Sequence, residues 1–213
     1  MRIARGGIQW IIAAFILFIL AFIGSFLLSE FIQNISYFIA ILFLVLFVLL
    51  IIFFRDPDRH IGQGITAVAD GVIQEIADLD QNTHHWIRIS TFMNIHNVHV
   101  NRMPIDGEIV QIFHHPGGYL PAFKKESERN ERVEIIAKTR IGDIKIMLIA
   151  GTIARRIVPY IQKGDVIKKG ERIGLIRLGS RVDVYFPKSS VQVMVVPRDR
   201  IRAGVDTVAT INA

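Results

Sequence analysis

The sequence predicts a mainly β, barrel-sandwich-like soluble domain preceded by an N-terminal two-helix transmembrane hairpin. Three observations predict it. Two long uncharged runs lie near the N-terminus. Short runs rich in Val, Ile and Thr follow, bounded by Gly, Pro and Asp-Gly. No amphipathic helical period longer than two or three turns occurs after Asp56. Of the 213 residues 51% are hydrophobic, and that apolar share is concentrated at the front of the chain.

From Ile8 to Leu28 there is no charged residue. At 1.5 Å per residue such a run makes a helix about 31 Å long, enough to cross a bilayer core. A second run, Ile35 to Phe54, is equally uncharged and can return across the same bilayer. The linker "SEFIQNIS" carries Glu30 and no Lys or Arg, while Arg2 and Arg5 precede the first span and Arg55 and Arg59 follow the second. The positive-inside bias therefore predicts both ends of the hairpin, and all that follows, on the cytoplasmic side of the cell (inner) membrane. A cleaved signal peptide is the competing reading of the first run. The length of that run and the span directly after it count against this. The Pro-, Gly- and charge-rich "FFRDPDRHIGQG" marks a boundary, giving a hairpin over 1–56 and one compact domain over 57–213.

Within that domain "ITAVADGVIQEI", "HWIRIS", "VEIIAKTR", "DIKIMLIAGTI" and "VQVMVV" read as strands, as do Ile173–Leu178 and Val182–Phe186. "ADGVIQEI" and "IDGEIVQIF" echo each other, each an Asp-Gly turn opening a strand. "VPYIQKGDVIKKGERIGLI" holds two Gly-centred turns between very short strands, a pattern similar to lipoyl carriers and to lysostaphin-like zinc peptidases. A carrier needs a lysine at an exposed hairpin tip, and none is so placed. The peptidases need a His-x-His pair, where this chain has "RVDVYFP". Cysteine is absent, which excludes disulfides and thiolate zinc sites. The formal charge of +6 suits an anionic lipid surface near Arg55, Arg59, Lys124, Lys125, Arg155 and Arg156, or a solvated basic face. No aromatic-and-basic signature points to nucleic acid.

The densest polar cluster is "STFMNIHNVHVNRMPIDG", with His96 and His99 three apart among Asn97, Asn101 and Arg102. His84-His85 and His114-His115 are further pairs. Histidines can ligate zinc, sit in surface turns or carry protons, and adjacent histidines in a strand point to opposite faces, which disfavours one shared metal. Asp70 and Asp106 are each either a turn residue or a functional carboxylate. Gly179-Ser180, between two apolar strands, is by itself an ordinary turn.

In order, "FFRDPDR", "ADGVI", "VHVNRMPIDGEI", "HPGGYLPAF", "ERNER", "LIAGTIARRI" and "LGSRVDVYFP" resemble the pyruvoyl-dependent phosphatidylserine decarboxylases, in the short prokaryotic form that also includes archaetidylserine decarboxylases. The resemblance implies a proenzyme that cuts itself between Gly179 and Ser180 into a β chain, 1–179, and an α chain, 180–213. The two would stay together as a heterodimer or in a higher oligomer. It implies that Ser180 becomes a covalent pyruvoyl cofactor, with no metal. The cofactor would form a Schiff base with the amine of phosphatidylserine in the bilayer, and the products would be phosphatidylethanolamine and CO2 in phospholipid biosynthesis. Asp70 falls on the family's Ala-Asp-Gly aspartate and His99 on the first histidine of its His-x-x-His segment. The second histidine falls on Arg102, which cannot act as a base at neutral pH. His99 is therefore expected to carry protons with Asp70 nearby, His96 and His115 in reserve, and Arg102 either on the substrate phosphate or carboxylate or in a structural ion pair. The usual "Leu-Gly-Ser-Thr" is "LGSR" here, with the scissile pair intact. A membrane-tethered zinc hydrolase and a non-enzymatic barrel-sandwich adaptor are the alternatives.

Overall fold

The computed structural model describes residues 2–27, 30–81, 84–118, 120, 129–151, 156–177 and 180–212, with only the backbone at 80, 81 and 84. The chain divides into two compact units, Met1–Asp58 and Arg59–Ala213.

In the first unit the uncharged runs form α1 (Ile8–Ser25) and α2 (Glu30–Phe53). Both are long and apolar enough to cross a membrane. The second helix begins five residues earlier than the apolar run suggests. Glu30 sits in its first turn, where a carboxylate complements the helix dipole, so a polar residue in the linker is no barrier to helix. The two helices meet through small residues: Ala14 and Ala40 are buried, and Ser36 Oγ donates to Ala21 O at 2.7 Å. This is the close backbone approach that small side chains permit. Short strands β1 (Arg2–Ile3) and β2 (Arg55–Asp56) pair antiparallel, so the two ends of the hairpin emerge side by side.

The second unit is mainly β. Its strands in chain order are β3 (Ile65–Thr66), β4 (Gly71–Gln81), β5 (His84–Met93), β6 (Val100–Arg102), β7 (Gly107–His115), β8 (Arg132–Thr139), β9 (Gly142–Ile149), β10 (Ile157–Pro159), β11 (Val166–Ile167), β12 (Arg172–Ile176), β13 (Ser180–Pro187), β14 (Val191–Val193), β15 (Arg200–Ile201) and β16 (Thr207–Ile211). Eight of them form one sheet in the order β11-β7-β8-β9-β13-β5-β4-β15, curled into a half-barrel. Two three-stranded sheets, β10-β12-β6 and β14-β16-β3, complete the unit. Alternation decides which face is inside. Along β8 Val133, Ile135 and Ala137 are buried, and along β9 Ile144, Ile146 and Leu148. They join Ile89, Val182, Val184 and Phe186 in one core. Each such aliphatic side chain contributes about 1.5–3 kcal/mol by leaving water.

The two Gly-centred turns have the expected backbone, with Gly164 at φ 91° and Gly170 at φ 83°. The glycine of "ADG" has a different reason. Gly71 has no positive φ, but a Cβ there would collide with the Phe92 carbonyl oxygen. Glycine is required by close approach of β4 to β5, not by turn geometry.

Candidate active site

β13 begins at Ser180 and lies at the centre of the half-barrel. It pairs with β5 from Ser180↔Met93 to Pro187↔Trp86, and with β9 from Arg181↔Ile149 to Tyr185↔Lys145. Successive side chains in a strand face opposite ways, so Ser180 shares the core face with Val182, Val184 and Phe186. It is 0% exposed, and its hydroxyl has no hydrogen-bond partner among the described residues. Gly179, expected as the other half of the scissile pair, lies outside the described residues. So do Lys124, Lys125 and Arg155, expected on a basic surface.

Asp70 comes to the same end of the sheet. Val72 pairs with Phe92 while Ser180 pairs with Met93. Gly71 and Ser180 therefore flank the end of β5, two strand spacings or roughly 10 Å apart. The Asp70 carboxylate is held by Arg59, whose Nη2 donates to Oδ2 at 2.7 Å and whose Nη1 donates to Oδ1. The Ala203 N–H also donates to Oδ1, at 2.8 Å. Arg59, expected to face lipid, is thus turned inward as the counter-charge of Asp70.

His99 reaches this end through β6. Its backbone oxygen accepts from Ile176 N at 3.3 Å, and Arg102 N donates to Val68 O at 2.9 Å. β6 is therefore stitched both to the segment leading into Asp70 and to the strand that ends four residues before Ser180. The imidazole is 0% exposed. Its Nδ1 lies 2.9 Å from the Asn97 carbonyl oxygen. A carbonyl only accepts, so Nδ1 carries the proton and Nε2 carries the lone pair in the neutral ring. The turn that supplies Asn97 is itself pinned, with Asn97 Oδ1 accepting from Asn94 N at 2.8 Å and Asn97 N donating to Asn94 O at 2.9 Å.

The remaining expected residues are placed differently. Arg102 is buried, and its Nη1 donates to Gly170 O at 2.9 Å, a bond that ties β6 to a Gly-centred turn. His96 is exposed on the turn between β5 and β6. His115 Nε2 is 3.0 Å from Glu134 Oε2, and His114, on the other face of β7, is 3.1 Å from Glu131. Asp106 accepts from Lys169 N at 2.7 Å. No group of three or more His, Asp or Glu that could hold a metal occurs among the described residues.

On the opposite face of β13 lies an ionic cluster that sequence reasoning missed, with Arg181 and Asp183 buried at its centre. Arg181 grips Asp183 with two bonds, Nε to Oδ1 at 2.7 Å and Nη2 to Oδ2 at 2.6 Å. Arg88 pairs with Glu75 at 2.8 Å, and Lys145 lies 5.1 Å from the centre of the Tyr185 ring. Burial pushes the Tyr185 phenol up and Asp183 adds to the shift, so the ring stays neutral through the physiological range. The i, i+2 spacing of "RVD" was the signal available in the sequence. Nothing local pointed to Arg59.

Comparisons with known proteins identify the family. The phosphatidylserine decarboxylase family model matches residues 46–209. A phosphatidylserine decarboxylase proenzyme of Streptomyces coelicolor is 49% identical over 154 residues, 72% of this chain and 69% of that protein. A Thermobifida fusca protein of the same name is 50% identical over 153 residues, 71% of this chain and 69% of that protein. A Methanosarcina barkeri protein bearing the name archaetidylserine decarboxylase proenzyme is 41% identical over 213 residues, 98% of each chain. With a buried serine opening the central strand and a family match over most of its length, the chain belongs to the phosphatidylserine decarboxylase family.

Proposed function

We propose that the chain is a self-processing, pyruvoyl-dependent decarboxylase that converts phosphatidylserine to phosphatidylethanolamine and CO2 at the inner membrane, its catalytic domain on the cytoplasmic side. The observation that carries this reading is the Ser180 hydroxyl, fully buried and without a partner among the described residues. Leaving a buried hydroxyl unpaired costs about 1–3 kcal/mol, a cost that makes sense for a group held ready to react. Its relatives' naming as proenzymes supports a covalent maturation step.

In that step Ser180 Oγ attacks the Gly179 carbonyl carbon, and the Gly179–Ser180 C–N bond breaks as the C–O bond forms. The free amine is then that of residue 180. Loss of the Cα proton expels the Gly179 carboxylate and leaves dehydroalanine. Water hydrolyses it, ammonia departs, and residue 180 ends as a pyruvoyl group. That group supplies a carbonyl for the substrate amine and an electron sink for the pair left behind by CO2. His99 is assigned the proton transfers through Nε2, its ring fixed by the Asn97 carbonyl. Asp70, neutralised by Arg59, anchors the segment facing Ser180 across β5. Arg102 is assigned to structure because its guanidinium serves the Gly170 carbonyl. His96, exposed on the turn between β5 and β6, is the candidate for headgroup contact, whereas His115 is committed to Glu134. No metal is assigned, and the partners are the lipid and the two chains of the processed protein.

The full-length likeness to the Methanosarcina protein favours a second reading of the substrate, the same serine headgroup on an archaetidyl backbone. Assaying both lipids separates the two. The intact mass of the purified protein tests the main reading. Two fragments breaking after Gly179, the smaller lacking an amino terminus, are expected, and Ser180→Ala should abolish both the break and CO2 release. A single unmodified polypeptide with full activity would refute it.

A further inference from the structure

We propose that Arg181 and Asp183 form a positioning clamp that sets the attitude of residue 180, first for cutting and then for decarboxylation. The inference rests on Ser180 being the cut residue, and it is carried by what surrounds the next residue along. Once the bond before residue 180 is broken, that residue is joined covalently to the fold only through its peptide link to Arg181, with its pairing to Met93 as the other tie. The β9 ladder starts at Arg181↔Ile149, one residue after the β5 ladder starts at Ser180↔Met93. Arg181 is therefore the first residue of the α chain held from both sides.

Its side chain adds a third restraint. The guanidinium and the Asp183 carboxylate are 4% and 1% exposed, and they meet fork to fork at 2.7 and 2.6 Å. Both Asp183 oxygens are thereby used. Ser90, directly across the ladder from Asp183, keeps a buried hydroxyl with no partner among the described residues. The planar fork fixes the Arg181 side chain against the strand in a way that a flexible ammonium would not. The pair lies on the sheet face opposite Ser180, so it delivers no charge to the reacting atoms. Its effect is on orientation. An apolar pair of similar volume would stabilise a sheet at least as well, so stability alone does not account for a buried salt bridge at this position.

The test uses the full chain in membranes, with two variants. Arg181→Lys keeps the charge but loses the fork. The double variant Arg181→Met/Asp183→Leu removes both charges and leaves neither stranded. Three quantities are read: the melting temperature, the half-time for appearance of the α chain on denaturing gels, and kcat and KM of the fully matured protein. Both variants are expected to melt near the wild type and to cut about tenfold to a hundredfold more slowly, the cost of a small misplacement of reacting groups. The matured forms should show lower kcat with KM unchanged. A double variant that folds and cuts at the wild-type rate overturns the proposal. If the double variant fails to fold, wild-type cutting by Arg181→Lys overturns it. A wild-type chain with no break after Gly179 would instead remove the reading of Ser180, and this inference with it.

Discussion

At the level of single residues the site is defined by how few of its polar groups are free to respond. The Asn97 carbonyl holds Nδ1 of His99, which leaves Nε2 as the atom able to exchange a proton. Replacing His99 with Ala in protein already matured should lower decarboxylation by on the order of 10²–10⁴-fold, the usual worth of a positioned acid-base group. Turnover measured on isolated α and β chains in complex checks this, and loss of less than a few-fold would reassign the role. Asp70 behaves differently because its carboxylate is already spent on Arg59 and the Ala203 N–H. Asp70→Asn strands a guanidinium whose side chain is only 9% exposed. Breaking such a pair costs about 3–5 kcal/mol, and for a domain of this size a fall in melting temperature of roughly 10 °C should follow. A thermal scan showing no change would mean that the ion pair is unimportant to the fold.

At the level of elements the governing fact is that β13 has a neighbour on each side. The ladders to β5 and β9 hold residues 181–185 irrespective of the link to residue 179. The strands after β13 are distributed further, β15 beside β4 and β16 between β14 and β3. β5 is the other critical strand, since its last residue, Met93, sits between Gly71 and Ser180. Gly71→Ala would drive a Cβ into the Phe92 carbonyl and push β4 away from β5 at that point. Such overpacking costs about 1–3 kcal/mol, and self-cutting should slow in proportion to the displacement of Met93. Following the α-chain band over time, alongside a melting curve, checks this. Gly118→Ala is the comparison, since among the described residues a Cβ there meets nothing closer than the Asn130 Oδ1 at 3.8 Å.

For the whole molecule, the two apolar helices and the β domain make separate contributions. Under the proposed function the helices would keep a catalyst next to a substrate whose acyl chains stay in the bilayer. The domain would provide a buried place for the headgroup chemistry. Because the chain has no cysteine, a single cysteine introduced at the exposed Asp143 reports sidedness cleanly. A membrane-impermeant thiol reagent should label it only from the cytoplasmic face, and labelling from the other side would reverse the assigned orientation. The sequence by itself determined the apolar hairpin, the β character of the rest and the Gly-centred turns. These depend on run length, alternation and backbone preference, all local properties of the chain. It read Ser180, by contrast, as part of a turn before a strand at Val182–Phe186, and the strand in fact runs from Ser180. Tertiary structure alone decided that Arg59 turns inward to Asp70, that Arg102 is a strut under a turn, that His115 belongs to Glu134, and that Arg181 and Asp183 are sealed on the face of β13 opposite Ser180. The physical reason is that a charge takes its role from the partner and the burial it meets. For Asp70 the partners come from segments distant in sequence, Arg59 and Ala203 lying 144 residues apart on either side of one carboxylate.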